Sequence, residues 1–259
     1  MRIRSPRLTR CLRAAASASL LAVAAACDSA GRATAPSHDP LAGVRKASRE
    51  VFVPVGPIIP CVDSIFKGDF ASDGVNAYPG APTIGSWTGS QSAGTIRVRS
   101  STGGLFNKPV ELTQYAGFSG GVSLNGKLRC TSAPSTGVVV IDWRSLVHSA
   151  TASFGAIVLR DDQSRILGAV EYRANGVVTY NGITVPGVAW VKDIPRQFRI
   201  RLDLTGRKSS LYVDGQLKLV SIPYFQTSAT NLWRVSMELG GTSAQSFAWD
   251  DILAVRHVW

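Results

Sequence analysis

The stretch Phe198-Arg199-Ile200-Arg201-Leu202-Asp203-Leu204 alternates apolar and polar side chains over its whole length. Because successive side chains of a β-strand point to opposite faces, this period of two puts the apolar residues on one face and the charged residues on the other. The stretch Val235-Ser236-Met237-Glu238-Leu239 has the same alternation. Strands that are buried on one face and solvated on the other are typical of antiparallel sheets. The two stretches therefore predict antiparallel strands.

Tight turns separate the strand-like stretches. Four dipeptides supply the positive φ angles that a two-residue hairpin requires. They are Asn125-Gly126, Asn175-Gly176, Asn181-Gly182 and Asp214-Gly215. The stretches 138–141 and 156–159 are apolar at every position, which suits central strands buried on both faces. About a dozen strands at this spacing predict an all-β fold, a two-sheet antiparallel β-sandwich, as a single domain over residues 61–259.

The N-terminus reads as an export signal. Five arginines and no acidic residue precede an apolar run at 14–26, which is shorter than the about 20 residues of a membrane-spanning helix. A basic head followed by a short apolar run and small residues predicts a secretory signal peptide over residues 1–26. The stretch Ala24-Ala25-Ala26-Cys27 resembles the lipobox of bacterial lipoproteins, which implies lipidation of Cys27. The same alanines also suit the ordinary signal peptidase, which leaves the chain unmodified.

Cysteine counting favours the lipoprotein alternative. Three cysteines follow the leader, and an odd number in an exported protein leaves one thiol unexplained. Lipidation of Cys27 removes the odd thiol, and Cys61 and Cys130 are then predicted to form a structural disulfide. Their separation lacks the Cys-x-x-Cys spacing of a metal site. A loop of about 70 residues closed in this way is worth roughly 4 kcal/mol in the chain-entropy model.

Composition predicts the context of the domain. Residues 27–60 have few large apolar side chains and are predicted to be a flexible, lipid-anchored tether. The leader carries five of the 28 basic residues, which leaves 23 basic against 17 acidic side chains, a net charge of +6 rather than +11. This balance argues against a nucleic-acid binder and permits weak attraction to anionic polymers. The prediction is an exported protein anchored to the membrane of the bacterial cell envelope.

Two C-terminal passages carry a family resemblance. Ser210-Leu211-Tyr212-Val213-Asp214-Gly215 and Phe247-Ala248-Trp249-Asp250-Asp251-Ile252-Leu253 resemble a hairpin and the closing strand of the concanavalin A-like lectin/glucanase (laminin G-like) superfamily. The resemblance implies a two-sheet jelly roll. It also implies a structural calcium ion between the opening and closing strands, for which four aspartates supply hard oxygen donors. The four are Asp69, Asp73, Asp250 and Asp251. The alternative is that one of the last two caps a turn and the other is solvated.

The sequence argues against two catalytic motifs, the carboxylate strand of this superfamily's glucanases and the nucleophile elbow of serine hydrolases. Its glucanases use a Glu-x-Asp-x-x-Glu strand, whereas Ile166-Leu167-Gly168-Ala169-Val170-Glu171-Tyr172 has Glu171 alone. The Gly-x-Ser-x-Gly match at 117–121 lies between strand-like stretches and not at a strand-to-helix turn. We therefore expect a non-catalytic module that binds a polysaccharide or an envelope protein. The alternatives are a degenerate or unusual polysaccharide-acting enzyme, hydrolase or lyase, and a purely structural envelope protein.

A charged groove is the predicted ligand site. Strands near 138–145, 154–161, 165–173 and 176–181 are expected to form a meander in one sheet, with five charged side chains on its concave face. These are Asp142, Arg144, Arg160, Glu171 and Arg173. Arginine would suit an acidic polysaccharide through bidentate contacts to carboxylate or sulfate. The alternative is a solvated face with cross-strand ion pairs. Trp143 and Trp249 are expected in the core, and Trp87, between two glycines, is expected to be exposed.

Overall fold

Fifteen β-strands make up the secondary structure of the residues that the computed structural model describes, 63–100, 108–118, 120–149 and 154–258. Their bounds are β1 Asp63–Gly68, β2 Ser86–Gln91, β3 Gly94–Val98, β4 Val110–Gln114, β5 Val122–Lys127, β6 Val138–Ser149, β7 Phe154–Arg160, β8 Ile166–Tyr172, β9 Val177–Tyr180, β10 Ile183–Ala189, β11 Arg196–Asp203, β12 Lys208–Val213, β13 Gln216–Pro223, β14 Arg234–Gly240 and β15 Gln245–His257.

The strands form two antiparallel sheets. Sheet A has the order β13-β12-β11-β6-β15-β4-β3, and β1 also pairs with β15. Sheet B has the order β10-β9-β8-β7-β14-β5-β2. The long strand β15 therefore lies in the middle of sheet A, where it pairs with strands from the beginning and the middle of the chain. The predicted all-β, two-sheet antiparallel sandwich is confirmed.

The core lies between the sheets and is closed by aromatic side chains. Tyr172 of sheet B contacts Phe198 and Phe247 of sheet A, with ring centroids 5.7 Å apart in both pairs. The predicted burial of Trp143 and Trp249 is confirmed, since both are at most 1% exposed. Each stacks on one of the two phenylalanines. Burial raises the pKa of the Tyr172 hydroxyl, which shares a 2.7 Å hydrogen bond with Ser145. Residues of both sheets thus meet in one aromatic cluster.

Trp87 was expected on the surface, and this expectation is wrong. Its indole is half-buried, with its centroid 4.8 Å from the Phe66 ring and 5.7 Å from the Phe70 ring. Glycines make the space for it, because an added Cβ at Gly68 or Gly126 would lie within 2.8 Å of the indole. Gly89, one of the two glycines that suggested a loop, lies in β2, and the indole fills space that the glycines of β1 and β5 leave open.

The prediction that four consecutive strands form a meander in one sheet is also wrong. β6 pairs with β11 and β15 in sheet A, whereas β7, β8 and β9 follow one another in sheet B. β6 is 12 residues long, and its buried inner face packs against sheet B instead of continuing it. Strands that are adjacent in sequence can lie in opposite layers of a sandwich, which alternation alone does not reveal.

Several predictions fall outside the described residues. These are the signal peptide, lipidation of Cys27, the tether 27–60 and the position of Cys61, and they stay predictions. Cys130 is half-buried against the core, and its pairing with Cys61 likewise stays a prediction. Within the described ranges no helix is long and apolar enough to cross a membrane.

Glu111 of β4 should make stability depend on pH. Burial alone would raise the pKa of this carboxyl, but hydrogen bonds from Ser246 (2.6 Å), Thr113 (2.9 Å) and Arg99 (2.8 Å) outweigh it and lower the pKa below its ordinary value of 4.5. A lowered folded-state pKa adds stability above the unfolded value, and this stability is lost as pH falls through the folded value. In urea unfolding, we expect the deficit of Glu111→Gln to be largest near neutral pH and to shrink below about pH 4.5. A deficit that stays constant with pH would contradict this assignment.

Candidate functional site

A row of side chains crosses the outer face of sheet B in one continuous register. Hydrogen-bonded pairing places one residue from each of the seven strands directly opposite its neighbours. In the order of the sheet they are Ser90, Ser123, Glu238, Ala156, Glu171, Thr179 and Thr184. We call this set the polar row. The alternation of β14 explains its centre, because Met237 and Leu239 point into the core and Glu238 between them points outward.

Glu238 is held by Arg160 of the adjacent strand. Its Oε1 accepts hydrogen bonds from Arg160 Nε (3.1 Å) and Nη2 (3.0 Å), and its Oε2 accepts a third from Nη2 (2.9 Å). Arg160 lies opposite Arg234, four residues along β14 from Glu238, so the two side chains extend towards each other along the sheet. Both are 23% exposed, which makes this a partly shielded, multiply bonded pair.

Glu171 lies on the other side of Ala156. Its Oε2 accepts hydrogen bonds from Arg173 and from Thr179 Oγ1 (3.3 Å). Glu238 and Glu171 are each one strand away from Ala156, so their backbones are about 10 Å apart. Ala156 itself is small and fully buried. At the centre of the row, Ala156 is therefore covered by its neighbours, with a carboxylate paired to an arginine on either side.

A cleft opens at the β2 end of the polar row. Its volume is about 330 Å³, and the lining residues are Ser90, Ser92, Gly121, Val122, Ser123, Glu238 and Leu239. Three hydroxyls and one carboxylate therefore face a space at the lower end of the range typical of small-ligand sites. The Ser92 hydroxyl donates to the carbonyl of Gly121 at 3.0 Å, which ties the rim to the start of β5.

Asn125 positions the hydroxyls beside the cleft. Its Nδ2 donates to Ser123 Oγ (3.2 Å), and its Oδ1 accepts from Ser236 Oγ (2.7 Å). Ser236 is fully buried. Buried polar groups need partners, and this chain of bonds satisfies the two serines while fixing the orientation of Ser123.

The predicted charged groove is not assembled, because its five residues lie on two sheets. Arg160, Glu171 and Arg173 share the outer face of sheet B, whereas Asp142 and Arg144 belong to β6 in sheet A. The prediction that these five residues form one groove is therefore wrong.

Asp142 and Arg144 make ion pairs of their own on sheet A. Asp142 accepts hydrogen bonds from Arg199 Nε (2.7 Å) and Nη2 (3.1 Å), and the hydrogen bond raises the pKa of that guanidinium. The Nη1 of Arg144 lies 3.3 Å from Oδ2 of Asp251. For these two residues the alternative of a solvated face with cross-strand ion pairs describes what the structure shows.

The four predicted calcium ligands do not form a set. In the described part of the chain, no three His, Cys, Asp or Glu side chains approach closely enough to hold a metal ion. Asp69 Oδ1 accepts from the Ala71 amide (3.0 Å), and Asp250 Oδ1 accepts from the Asp251 amide (2.9 Å). Asp73 Oδ1 lies against Gly80, where an added Cβ would come within 2.6 Å. Calcium binding at these aspartates stays a prediction.

Sequence reasoning missed Glu238, Ser90 and Ser123. The alternation of β14 already placed Glu238 on the outer face, but nothing in the sequence identified β5 and β7 as its neighbours. The hydroxyls of Ser90 and Ser123 carried no motif at all. Their common face is a product of the long-range pairing of β2, β5 and β14.

The fold is similar to that of several solved structures. A structure described as a sialidase superposes with a TM-score of 0.57 at 11% identity, covering 77% of this chain and 19% of that one. The catalytic domain of a glycoside hydrolase family 131 protein from Coprinopsis cinerea gives 0.54 at 9% identity, covering 76% and 96%. A botulinum neurotoxin type C structure, whose cell entry is described as dependent on two ganglioside molecules, gives 0.50 at 7%, covering 76% and 49%.

These similarities define the class of fold. The chain spans about a fifth of the sialidase and about half of the neurotoxin chain, but nearly all of the family 131 domain. The domain shares a two-sheet antiparallel β-sandwich with these structures, as the alternation in the sequence predicted. At these identities the similarity is one of fold, and fold does not determine function. The chain matches no protein-family model and no curated protein sequence.

Proposed function

We propose that the outer face of sheet B is a non-catalytic binding surface for a polysaccharide. The observation that carries this proposal is the polar row together with its cleft. Hydroxyls, which donate and accept, stand beside carboxylates, which accept, and this mixture complements the hydroxyl groups of a sugar. A row that crosses seven strands offers contacts to several sugar units, and the cleft accepts one unit at its end.

The state of the two glutamates supports binding over turnover. Both oxygens of Glu238 are engaged by Arg160, so neither is free to deliver a proton to a glycosidic oxygen. Glu171 is also ion-paired, through its Oε2, which accepts from Arg173 and Thr179. A retaining hydrolase needs its two carboxyl groups about 5 Å apart, whereas the backbones of these residues are separated by two strand spacings.

A second candidate is an inverting polysaccharide hydrolase. One observation favours it, since Glu238 and Glu171 lie on the same face with only the small Ala156 between them. Inverting enzymes use carboxyl groups about 6.5–9.5 Å apart, to leave room for a water molecule. Release of reducing ends from a bound polysaccharide, abolished by Glu171→Gln, would favour this candidate over a binding module.

The proposal includes the location of the protein. A lipid on Cys27 would hold the sandwich at the bacterial cell envelope by a tether of 34 residues, 27–60. An unfolded linker of that length has an average span of roughly 30 Å. The binding face would then lie clear of the membrane, in reach of envelope or external polysaccharides. This part of the proposal rests on the sequence of the leader and on the odd number of cysteines that follow it.

Filling the cleft should weaken binding. Ser123→Leu places a large side chain where the cleft is lined by the Ser123 hydroxyl, so we expect affinity for a bound polysaccharide to fall roughly tenfold or more, about 1.4 kcal/mol. Affinity electrophoresis through gels containing single soluble polysaccharides would measure the change.

Ser210→Leu is the matched control, because Ser210 is also a half-exposed strand serine but lies on β12 of sheet A. We expect its mobility in each gel to equal that of the wild type. Equal weakening in both variants, or no retardation of the wild type in any gel, would contradict the proposed site.

A further inference from the structure

Three cations lie side by side on the outer face of sheet B. Lys127 of β5 pairs with Arg234 of β14, and Arg234 pairs with Arg160 of β7. Directly opposed residues on adjacent strands have Cβ atoms about 5 Å apart, and like charges in such positions are destabilising. We call Lys127, Arg234 and Arg160 the basic row. It lies four residues along the strands from the polar row, a distance of about 13 Å.

Only one of these three charges is matched by a described carboxylate. Arg160 binds Glu238, but Arg234 and Lys127 form no ion pair within the ranges that the structure covers. The ammonium group of Lys127 lies 4.6 Å from the centroid of the Trp233 ring, a contact that leaves its positive charge in place. The Nε of Arg234 is shielded from solvent and has no hydrogen-bond acceptor among the described residues, so it does not offset the charge of this side chain. The basic row therefore has an excess of positive charge within the described part of the chain.

Ser164 brings the two guanidinium groups together. Its carbonyl accepts from Arg160 Nη1 at 3.2 Å, and its hydroxyl oxygen accepts from Arg234 Nη2 at 2.6 Å. Ser164 holds a φ of 66°, in the left-handed region that non-glycine residues seldom adopt. Strained residues of this kind persist where the surrounding structure over-determines them, often at binding sites. The turn thus holds two arginines in one place although their charges repel.

We infer that the basic row is a subsite for an anionic substituent, a carboxylate or a sulfate ester, on the polysaccharide bound by the polar row. This inference rests on the proposed function and adds the chemical class of the ligand. Arginine forms bidentate contacts with both groups, and Lys127 adds a point charge beside it. The subsite also explains why like charges remain adjacent on three neighbouring strands, since an anion bound among them removes the repulsion. The anionic subsite therefore keeps Arg160 from the predicted groove, and Lys127 and Arg234 take the place of Arg144 and Arg173.

The test compares charged polymers with their neutral counterparts. The probes are oligogalacturonate and its fully methyl-esterified form, and dextran sulfate and dextran, each titrated against the full chain. We expect at least one anionic member to bind roughly tenfold more tightly than its neutral counterpart, the change expected of one charge-assisted hydrogen bond. Lys127→Gln and Arg234→Gln should each remove most of that difference and leave binding of the neutral form unchanged. Preference for the galacturonate or for the sulfate identifies the anionic group.

Matched controls separate a site from general attraction to a basic protein. Lys208→Gln and Arg201→Gln remove the same charges from exposed positions on sheet A, and we expect both to bind as the wild type does. Because Lys127 is exposed, its variant is expected to keep the wild-type circular dichroism spectrum. Equal losses in the controls, or equal binding of charged and neutral forms by the wild type, would overturn the inference while leaving the proposed function intact. Binding of none of the four probes would overturn the subsite, and retention by another neutral polysaccharide would still support the polar row.

Discussion

We expect Phe247→Ala to lower the free energy of unfolding by about 3–5 kcal/mol, with a fall in the thermal midpoint of roughly 6–20 °C. Phe247 is fully buried, and its ring contacts Tyr172 of the opposite sheet and stacks on Trp249 at 5.7 Å. Removing it leaves a cavity between the two layers, which the rigid strands on both sides cannot close. Urea unfolding followed by tryptophan fluorescence measures the loss.

Phe225→Ala is the control for this substitution, since Phe225 is 52% exposed and its truncation opens no cavity. A second comparison isolates the packing of the ring itself. An added Cβ at Gly155 would lie 2.7–2.8 Å from three ring carbons of Phe247, so Gly155→Ala should be destabilising by about 1–3 kcal/mol. That cost should largely disappear in the Phe247→Ala background. Strictly additive effects would show that the two residues do not pack as described.

We expect Asp161→Ala to lower the free energy of unfolding by about 3 kcal/mol, nearly as much as Phe247→Ala does. The carboxylate is fully buried, and its Oδ1 accepts from the amides of Gln163 (3.0 Å) and Arg165 (2.7 Å). Its Oδ2 accepts from Arg165 Nε at 2.6 Å. Alanine leaves two amide donors and a guanidinium without this partner, which costs more than the original bonds contribute. Chemical unfolding of the purified variant measures the effect.

The same turn carries Ser164, so this change should reach the basic row. We expect Asp161→Ala to weaken binding of an anionic polysaccharide because Arg160 and Arg234 lose the support of a fixed turn. The adjacent Asp162 is exposed and contacts only Asn231 among the described hydrogen bonds, so Asp162→Ala should cost under about 1 kcal/mol. Equal stability of the two variants would contradict the role of Asp161 in the turn.

The sequence by itself determined the class of fold. Alternation in 198–204 and 235–239 predicted the inner and outer faces of β11 and β14, because the side-chain period of a strand is a local property of the backbone. The burial of Trp143 and Trp249 followed from the same counting. It also placed Arg160 and Glu171 on the outer face of their strands. Local periodicity therefore fixes orientation for each strand taken separately.

Only the tertiary structure decided which strands are neighbours. Pairing of β14 with β5 and β7 joins residues more than seventy positions apart, and this pairing alone brings Glu238 to Arg160 and Lys127 to Arg234. The tertiary structure also places β6 in sheet A, so Asp142 and Arg144 lie apart from the candidate site on sheet B. Strand order depends on how two sheets together bury their apolar faces, a property of the whole chain that no single stretch contains.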